Sequence, residues 1–121
     1  MTKAAAIYNF WNTFLTAYEE NSVPTDATFP YVTYQFVEGS LGNDVQMTAS
    51  VWYRGSYWVD ANAKAQEISE AIGQGGKILN CDGGKIWLKR GAPFAQNMGD
   101  DTDNLIKRKY LNITAEYFTA D

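Results

Sequence analysis

The chain has 121 residues, no histidine and a single cysteine, Cys81, a size that suits one ordinary domain spanning residues 1–121. These absences exclude Ser-His-Asp and Cys-His catalysis, the usual Cys and His zinc sites, and a disulfide within the chain. Fourteen acidic and ten basic side chains give a net charge of −4, which disfavours generic binding to DNA or to anionic membranes. Aromatic residues make up 15% of the chain, and this class is enriched where proteins meet proteins.

The charge is unevenly distributed along the chain. Residues 85–109 contain six basic and three acidic side chains, whereas the remainder contains four basic and eleven acidic ones. A monomer polarised in this way can place opposite charges against each other in a head-to-tail ring. Solvated strand faces are the simpler interpretation of the same pattern.

The first predicted element is a helix over residues 2–20. Its apolar residues recur at three- and four-residue spacing, which is typical of a helix lying on a core; they are Ile7, Phe10, Trp11, Phe14, Leu15 and Tyr18. The segment is interrupted by polar residues and has no apolar block of signal-peptide or membrane-spanning length. We therefore expect a product that is cytosolic when made.

Two strands follow, over residues 31–37 and 45–54, because large apolar residues alternate with polar ones in both segments. Residues 38–44 between them contain the Gly, Asn and Asp residues of a hairpin connection. The pair is predicted to form a hairpin with one buried face.

A second helix is predicted over residues 60–72, with Asp60 as N-cap and small apolar residues on one stripe. Strands are predicted over residues 77–81, 85–90 and 107–117. The connection over residues 91–106 is irregular and acidic, and a loop of that length in a compact domain usually has a function.

The predicted element order is α-β-β-α-β-β-β. Short turns between neighbouring strands imply an antiparallel or mixed sheet of four to five strands, packed with two main helices. The sequence therefore predicts an α+β fold.

No motif for nucleotides or metals is complete. Residues 73–77 superficially match a phosphate-binding loop, but their glycines follow a helix rather than open one. A calcium loop starting at Asp101 would need glycine and glutamate where Ile106 and Asn112 stand. We expect no cofactor, no metal and no enzymatic activity.

The aromatic residues leave two alternatives open. Four large rings lie within residues 52–58 and cannot all enter one core, which indicates that some reach a partner. Trp87, among the basic residues 85–90, is compatible with a module that stacks single-stranded nucleic acid. The acidic net charge favours an ordinary strand for that segment.

Taken together, these elements carry a family resemblance. The segments most specific to the family are residues 94–101 and 106–113. Further matching features are residues 30–34, residues 51–53, the small-residue helix, and the turn 82–84 followed by Ile86-Trp87-Leu88. In these features the whole chain resembles the tail-terminator, or tail-completion, proteins of long-tailed bacteriophages and of related phage-tail-like particles of Gram-positive hosts.

The resemblance implies a structural virion protein rather than an enzyme. Such proteins form a ring, typically a hexamer, that caps the head-proximal end of the tail tube, stops its polymerisation and offers the surface that joins the head connector. The implied partners are further copies of the chain, the tail-tube protein and a connector or neck protein, with no membrane and no specific nucleic acid apart from DNA passing through the ring. The implied location is the tail of the virion, after assembly in the host cytoplasm.

Physical arguments select the candidate interface residues. Tyr57 and Trp58 are the predicted anchors of a subunit or tube interface. Opposite charges are predicted to meet between neighbouring subunits, with Asp100, Asp101 and Asp103 on one side and Lys107, Arg108 and Lys109 on the other. A different neck or tube protein with the same domain is the alternative within the phage tail, and the nucleic-acid module is the alternative outside it.

Overall fold

The computed structural model describes residues 1–120 and has an α+β fold, as the sequence predicts. Its elements are α1 (Lys3–Asn12), β1 (Ala17–Glu19), β2 (Tyr31–Tyr34), β3 (Asp44–Arg54), α2 (Val59–Ile72), β4 (Lys77–Cys81), β5 (Gly84–Met98) and β6 (Ile106–Thr119). The six strands form one mixed sheet in the order β1-β2-β3-β6-β5-β4. β1 and β2 are parallel, and all other neighbours are antiparallel. The expected count of four to five strands and the order α-β-β-α-β-β-β are therefore wrong by one strand, β1.

The extra strand lies within the segment predicted as the first helix. α1 ends at Asn12, where Thr13 caps it and the Asn12 side chain accepts a hydrogen bond from the Ala17 amide at 3.1 Å. β1 then pairs with the whole of β2 except its first residue. The helical spacing of apolar residues continues through Tyr18, but Asn12, Thr13 and Thr16 are weak helix formers and the chain turns into the sheet.

The long connection predicted over residues 91–106 is mostly strand. β5 continues to Met98, and its pairing with β6 shifts register between Arg90 and Ala95. Gly91 and Pro93 lie in this bulge and break the alternation of apolar and polar residues, which gave the segment the pattern of a loop. Only residues 99–105 connect β5 to β6.

The other elements lie close to their predicted positions, except that β2 ends at Tyr34, three residues before the predicted end of that strand at residue 37. β4 matches its predicted range, and β3 begins one residue earlier than expected. α2 begins at Val59 with Trp58 as its N-cap, so Asp60 lies in the first turn instead of capping the helix. The carboxylate of Asp60 still complements the positive end of the helix dipole.

Both helices pack on the same face of the sheet, which we call the inner face. α1 contacts β1 and β2 at one edge and β4 at the other, whereas α2 contacts the central strands β3, β5 and β6. The sheet must therefore curl around the helices. The fully buried residues form one cluster that includes Ile7, Val32, Val51, Ile68, Ile86, Leu111, Ala115 and Tyr117.

Two buried tyrosines make the stability of this core dependent on pH. Burial raises the pKa of Tyr117 to about 12 and, together with the nearby Glu19, raises the pKa of Tyr34 to about 12, from the ordinary tyrosine value of 10.0. Unfolded chains therefore lose these protons at lower pH than folded ones. We expect the free energy of unfolding to be constant up to about pH 9 and to fall between about pH 10 and 12.

Urea unfolding across this pH range tests the expectation, with the Tyr34→Phe/Tyr117→Phe double variant as comparison. The variant should lose less stability than the wild type over the same interval. Equal losses in the two proteins would show that other groups cause the alkaline destabilisation. The hydroxyl of Tyr117 also donates a hydrogen bond to the Val37 carbonyl at 2.6 Å, so the variant should be less stable than the wild type already at neutral pH.

Candidate interaction surface

The face of the sheet opposite the helices, which we call the outer face, carries side chains that the described part of the chain leaves partly exposed. On β6 the odd-numbered residues Leu111, Ile113 and Ala115 are buried against the inner core, and the even-numbered residues between them are only partly buried. Residues of β3 and β5 that pair with buried residues of β6 face the inner core as well, and those that pair with the residues between them face outward. The outer face is therefore a second surface of the sheet, separate from the one that packs against the helices.

Aromatic rings and one arginine form a row across four strands of the outer face. The ring of Tyr18 in β1 lies 5.8 Å from that of Tyr31 in β2, and Tyr31 stacks against Trp52 of β3 at 6.2 Å between centroids. The guanidinium of Arg108 in β6 lies 4.8 Å from the centroid of Trp52 and 5.4 Å from that of Tyr110. We call these five residues the aromatic–arginine row.

Hydrogen bonds hold the centre of the row in place. The indole Nε1 of Trp52 donates to Thr33 Oγ1 at 2.9 Å, and Arg108 Nε donates to Ser50 Oγ at 3.0 Å. Thr33 and Ser50 are themselves buried beneath the row. Fixed Trp, Tyr and Arg side chains lose little conformational entropy on binding and are the residue types enriched in interface hot spots.

A charged cluster occupies the neighbouring part of the outer face. Lys89 Nζ lies 3.2 Å from a carboxylate oxygen of Glu116 and 3.7 Å from one of Asp44. The same ammonium lies 4.3 Å from the ring centroid of Trp87. Because two carboxylates already accompany this cation, the cluster offers little net positive charge to a phosphate.

The predicted anchors Tyr57 and Trp58 lie at one end of the sheet, which we call the loop end and define as residues 54–60 and 99–107. The side chain of Tyr57 is 79% exposed, whereas Trp58 is half-buried with Lys107 Nζ 5.8 Å from its ring. The amide of Gly55 donates to the Leu105 carbonyl at 2.8 Å and joins the two segments. Tyr57 is thus the more accessible of the two anchors.

The acidic residues of the loop end are organised by hydrogen bonds. Asp100 Oδ1 accepts from the hydroxyl and amide of Thr102 at 2.7 and 2.8 Å and from the Asp103 amide at 2.9 Å. These bonds, the Thr102 hydroxyl first, hold the pKa of Asp100 below its ordinary value. The Leu105 amide, followed by Arg54, likewise lowers the pKa of Asp103. Asp101 between them is exposed.

The structure does not bring Lys107, Arg108 and Lys109 into one basic patch. Successive residues of a strand point to opposite faces, so Arg108 lies on the outer face and its two neighbours on the inner one. Lys107 is buried and donates to the Asn104 carbonyl of its own loop. Lys109 donates to the side chains of Asn62 and Asn97. Arg54, not this trio, pairs with the acidic loop, through Asp103 at 3.1 Å.

The sequence predicts only part of the aromatic–arginine row. Tyr18 is placed on the helical stripe, Tyr31 has no predicted role, and Tyr110 is considered only with the basic residues 107–109, as a feature of the nucleic-acid alternative. A signal was present for the last two, because each is a large ring at the polar phase of an alternating strand. Their proximity depends on strand order, which the alternation does not reveal.

No protein-family model matches the chain, and no curated protein matches it significantly. Within residues 1–120, no helix is long and apolar enough to cross a membrane. The same residues contain no group of three Cys, Asp or Glu side chains arranged to hold a metal ion.

Proposed function

We propose that the chain is a structural protein of a phage or phage-like tail that assembles into a ring and terminates the tail tube. The observation that carries the proposal is the outer face, where the aromatic–arginine row is fixed, partly exposed and not covered by a helix. Aromatic side chains and arginine at such a site are typical of surfaces that bind proteins. The sequence resemblance to tail terminators supplies the biological setting.

The sheet topology suits a ring built from head-to-tail contacts. Such a ring needs two different surfaces on each subunit, because every copy meets its two neighbours differently. β1 and β4 are the two edges of the sheet and differ in length and direction of pairing, and the loop end adds a further exposed surface. Closure of the contacts into a ring, rather than a filament, is what stops growth of the tube.

In this proposal each surface has an assigned partner. The sides of the subunit contact further copies in a ring, for which the family suggests six members, and the two ends of the ring contact the tail-tube protein and a connector or neck protein. The ring is a component of the virion at the head-proximal end of the tail and is assembled in the host cytoplasm. Its function is assembly, with no catalytic step and no cofactor.

Mass measurement of the purified chain, alone and with tail tubes that lack a terminator, tests this function. We expect the chain to bind one end of the tubes and to prevent their extension when more tube protein is added. An Arg108→Ala variant should bind more weakly, and Lys85→Ala, on the same face, is a matched control. A chain that is monomeric alone and does not bind the tubes would refute the proposal.

Two alternatives give different outcomes. A tube or neck protein with the same fold would copolymerise along the tube or bind only the connector, and the position of its gene among tail genes would identify it. A single-strand nucleic-acid module would show salt-sensitive quenching of tryptophan fluorescence by oligonucleotides. The pairing of Lys89 with Glu116 and Asp44 beside Trp87 disfavours the second alternative.

A further inference from the structure

An apolar groove of about 490 Å³ opens between α1, the end of α2 and β4. Its volume lies within the range of about 300–1,000 Å³ typical of pockets that bury small organic groups. The apolar part of its lining includes Ala6, Phe10, Phe14, Ala71, Ile78 and Leu79. Ile78 is 47% exposed on an edge strand, so the groove presents apolar surface that the described chain does not cover.

The loop end carries exposed apolar side chains of the complementary kind. Tyr57 is 79% exposed and Val59 is 71% exposed, two residues apart at the start of α2. They are among the most exposed large apolar residues of the described chain. Two exposed apolar side chains this close in the sequence, one aromatic and one branched, form a projection suited to an apolar groove.

The projection cannot occupy the groove of its own chain. Val59 begins α2, and Ala71, near its last residue, lines the groove. A rise of about 1.5 Å per residue places these two ends of the helix about 18 Å apart. A contact between projection and groove therefore joins two copies through different surfaces, which is a head-to-tail contact.

Charge complements this apolar match. Lys77 is the only charged side chain that lines the groove, and among residues 1–120 it forms no ion pair. Asp60 follows the projection directly and also forms no ion pair within that part of the chain. The loop end contains three further acidic residues, Asp100, Asp101 and Asp103, against Arg54 and Lys107, so its net charge is negative.

We infer that Tyr57 and Val59 of one copy insert into the groove between α1, α2 and β4 of the next copy, with Asp60 paired to Lys77. The inference rests on the proposed ring, because it names the contact by which neighbouring subunits join. It replaces the predicted pairing of the acidic loop with Lys107, Arg108 and Lys109, because all three side chains are engaged within their own chain. The occupant of the groove is thus a second copy of this chain.

Sedimentation of the full chain over a range of concentrations tests the contact. Ala71→Trp should fill the groove from an exposed position and weaken self-association about tenfold or more, as should Tyr57→Ser. Ala4→Trp is the matched control, since Ala4 is exposed on α1 but does not line the groove and is not part of the projection. It should associate like the wild type.

A charge exchange separates a direct contact from an effect on folding. Asp60→Lys alone and Lys77→Asp alone should each weaken association, and the double variant should restore it. Asp26→Lys, at an exposed residue remote in sequence from both segments, controls for the change in net charge. Restored association requires that the two residues meet, because a folding defect in each single variant would persist in the double one.

The outcomes distinguish this contact from the proposed function. A wild-type chain that stays monomeric at the highest concentration, or association that Ala71→Trp and the charge exchange leave unchanged, overturns the contact. Either result leaves capping of tail tubes open to its own assay. Association that depends on the groove, with no binding to tubes, supports the contact and refutes the terminator function.

Discussion

Replacing Gly84 with alanine should destabilise the protein by about 3 kcal/mol or more. Gly84 has a φ of 154°, and a Cβ atom built on it would lie 1.9 Å from the backbone oxygen of Phe118. Neither strand can easily withdraw, because Gly84 pairs with Cys81 of β4 and with Thr119 of β6. The substitution therefore strains the junction of three strands.

Urea unfolding of Gly84→Ala beside Gly75→Ala measures this effect. A Cβ at Gly75 would meet nothing within 4 Å, and its φ is not in the positive range. Gly75→Ala should change stability by less than about 1 kcal/mol. Similar stabilities of the two variants would contradict the close packing of β5 against the end of β6.

The second large effect is expected at Leu111, which is fully buried at the centre of β6. Its cross-strand neighbours are Ala49 of β3 and Ala95 of β5, small side chains that cannot fill a cavity beside them. Leu111→Ala should lower the free energy of unfolding by about 3–4 kcal/mol. Thr114→Ala, on the outer face of the same strand, should lower it by less than about 1 kcal/mol.

This comparison tests the division of the sheet into two faces. Thermal or urea unfolding of both variants gives the two free energies under the same conditions. A loss at Thr114 as large as that at Leu111 would mean that the outer face is packed within the monomer. The outer face would then not be free to bind a partner.

The parts of the fold that the sequence could predict depend on a clear period. β6 alternates buried Leu111, Ile113 and Ala115 with partly exposed residues, and α2 buries Ala61, Ala65, Ile68 and Ile72 on one stripe, so both were recognised. β1 was missed because three residues are too few to show a period of two. The end of β5 was missed because its bulge at Gly91 and Pro93 breaks the alternation.

The candidate surfaces could be predicted only in part, because they are assembled from residues distant in the chain. The exposure of Tyr57 followed from the crowding of four rings within seven residues, and its role as an anchor stays a prediction. The aromatic–arginine row joins Tyr18, Tyr31 and Arg108 from different strands, so it depends on a register that local patterns do not encode. Neighbouring basic residues in sequence suggested a patch, but strand geometry separates them.

Electron-microscopy class averages of tail-tube ends, with and without the added chain, show whether the chain caps the tube. We expect a closed ring of identical subunits at one end of each tube, and tubes that no longer extend from that end. We also expect Arg108→Ala to reduce the fraction of capped ends relative to Lys85→Ala. Tubes without a ring, or copies of the chain distributed along the tube wall, would contradict the proposed function.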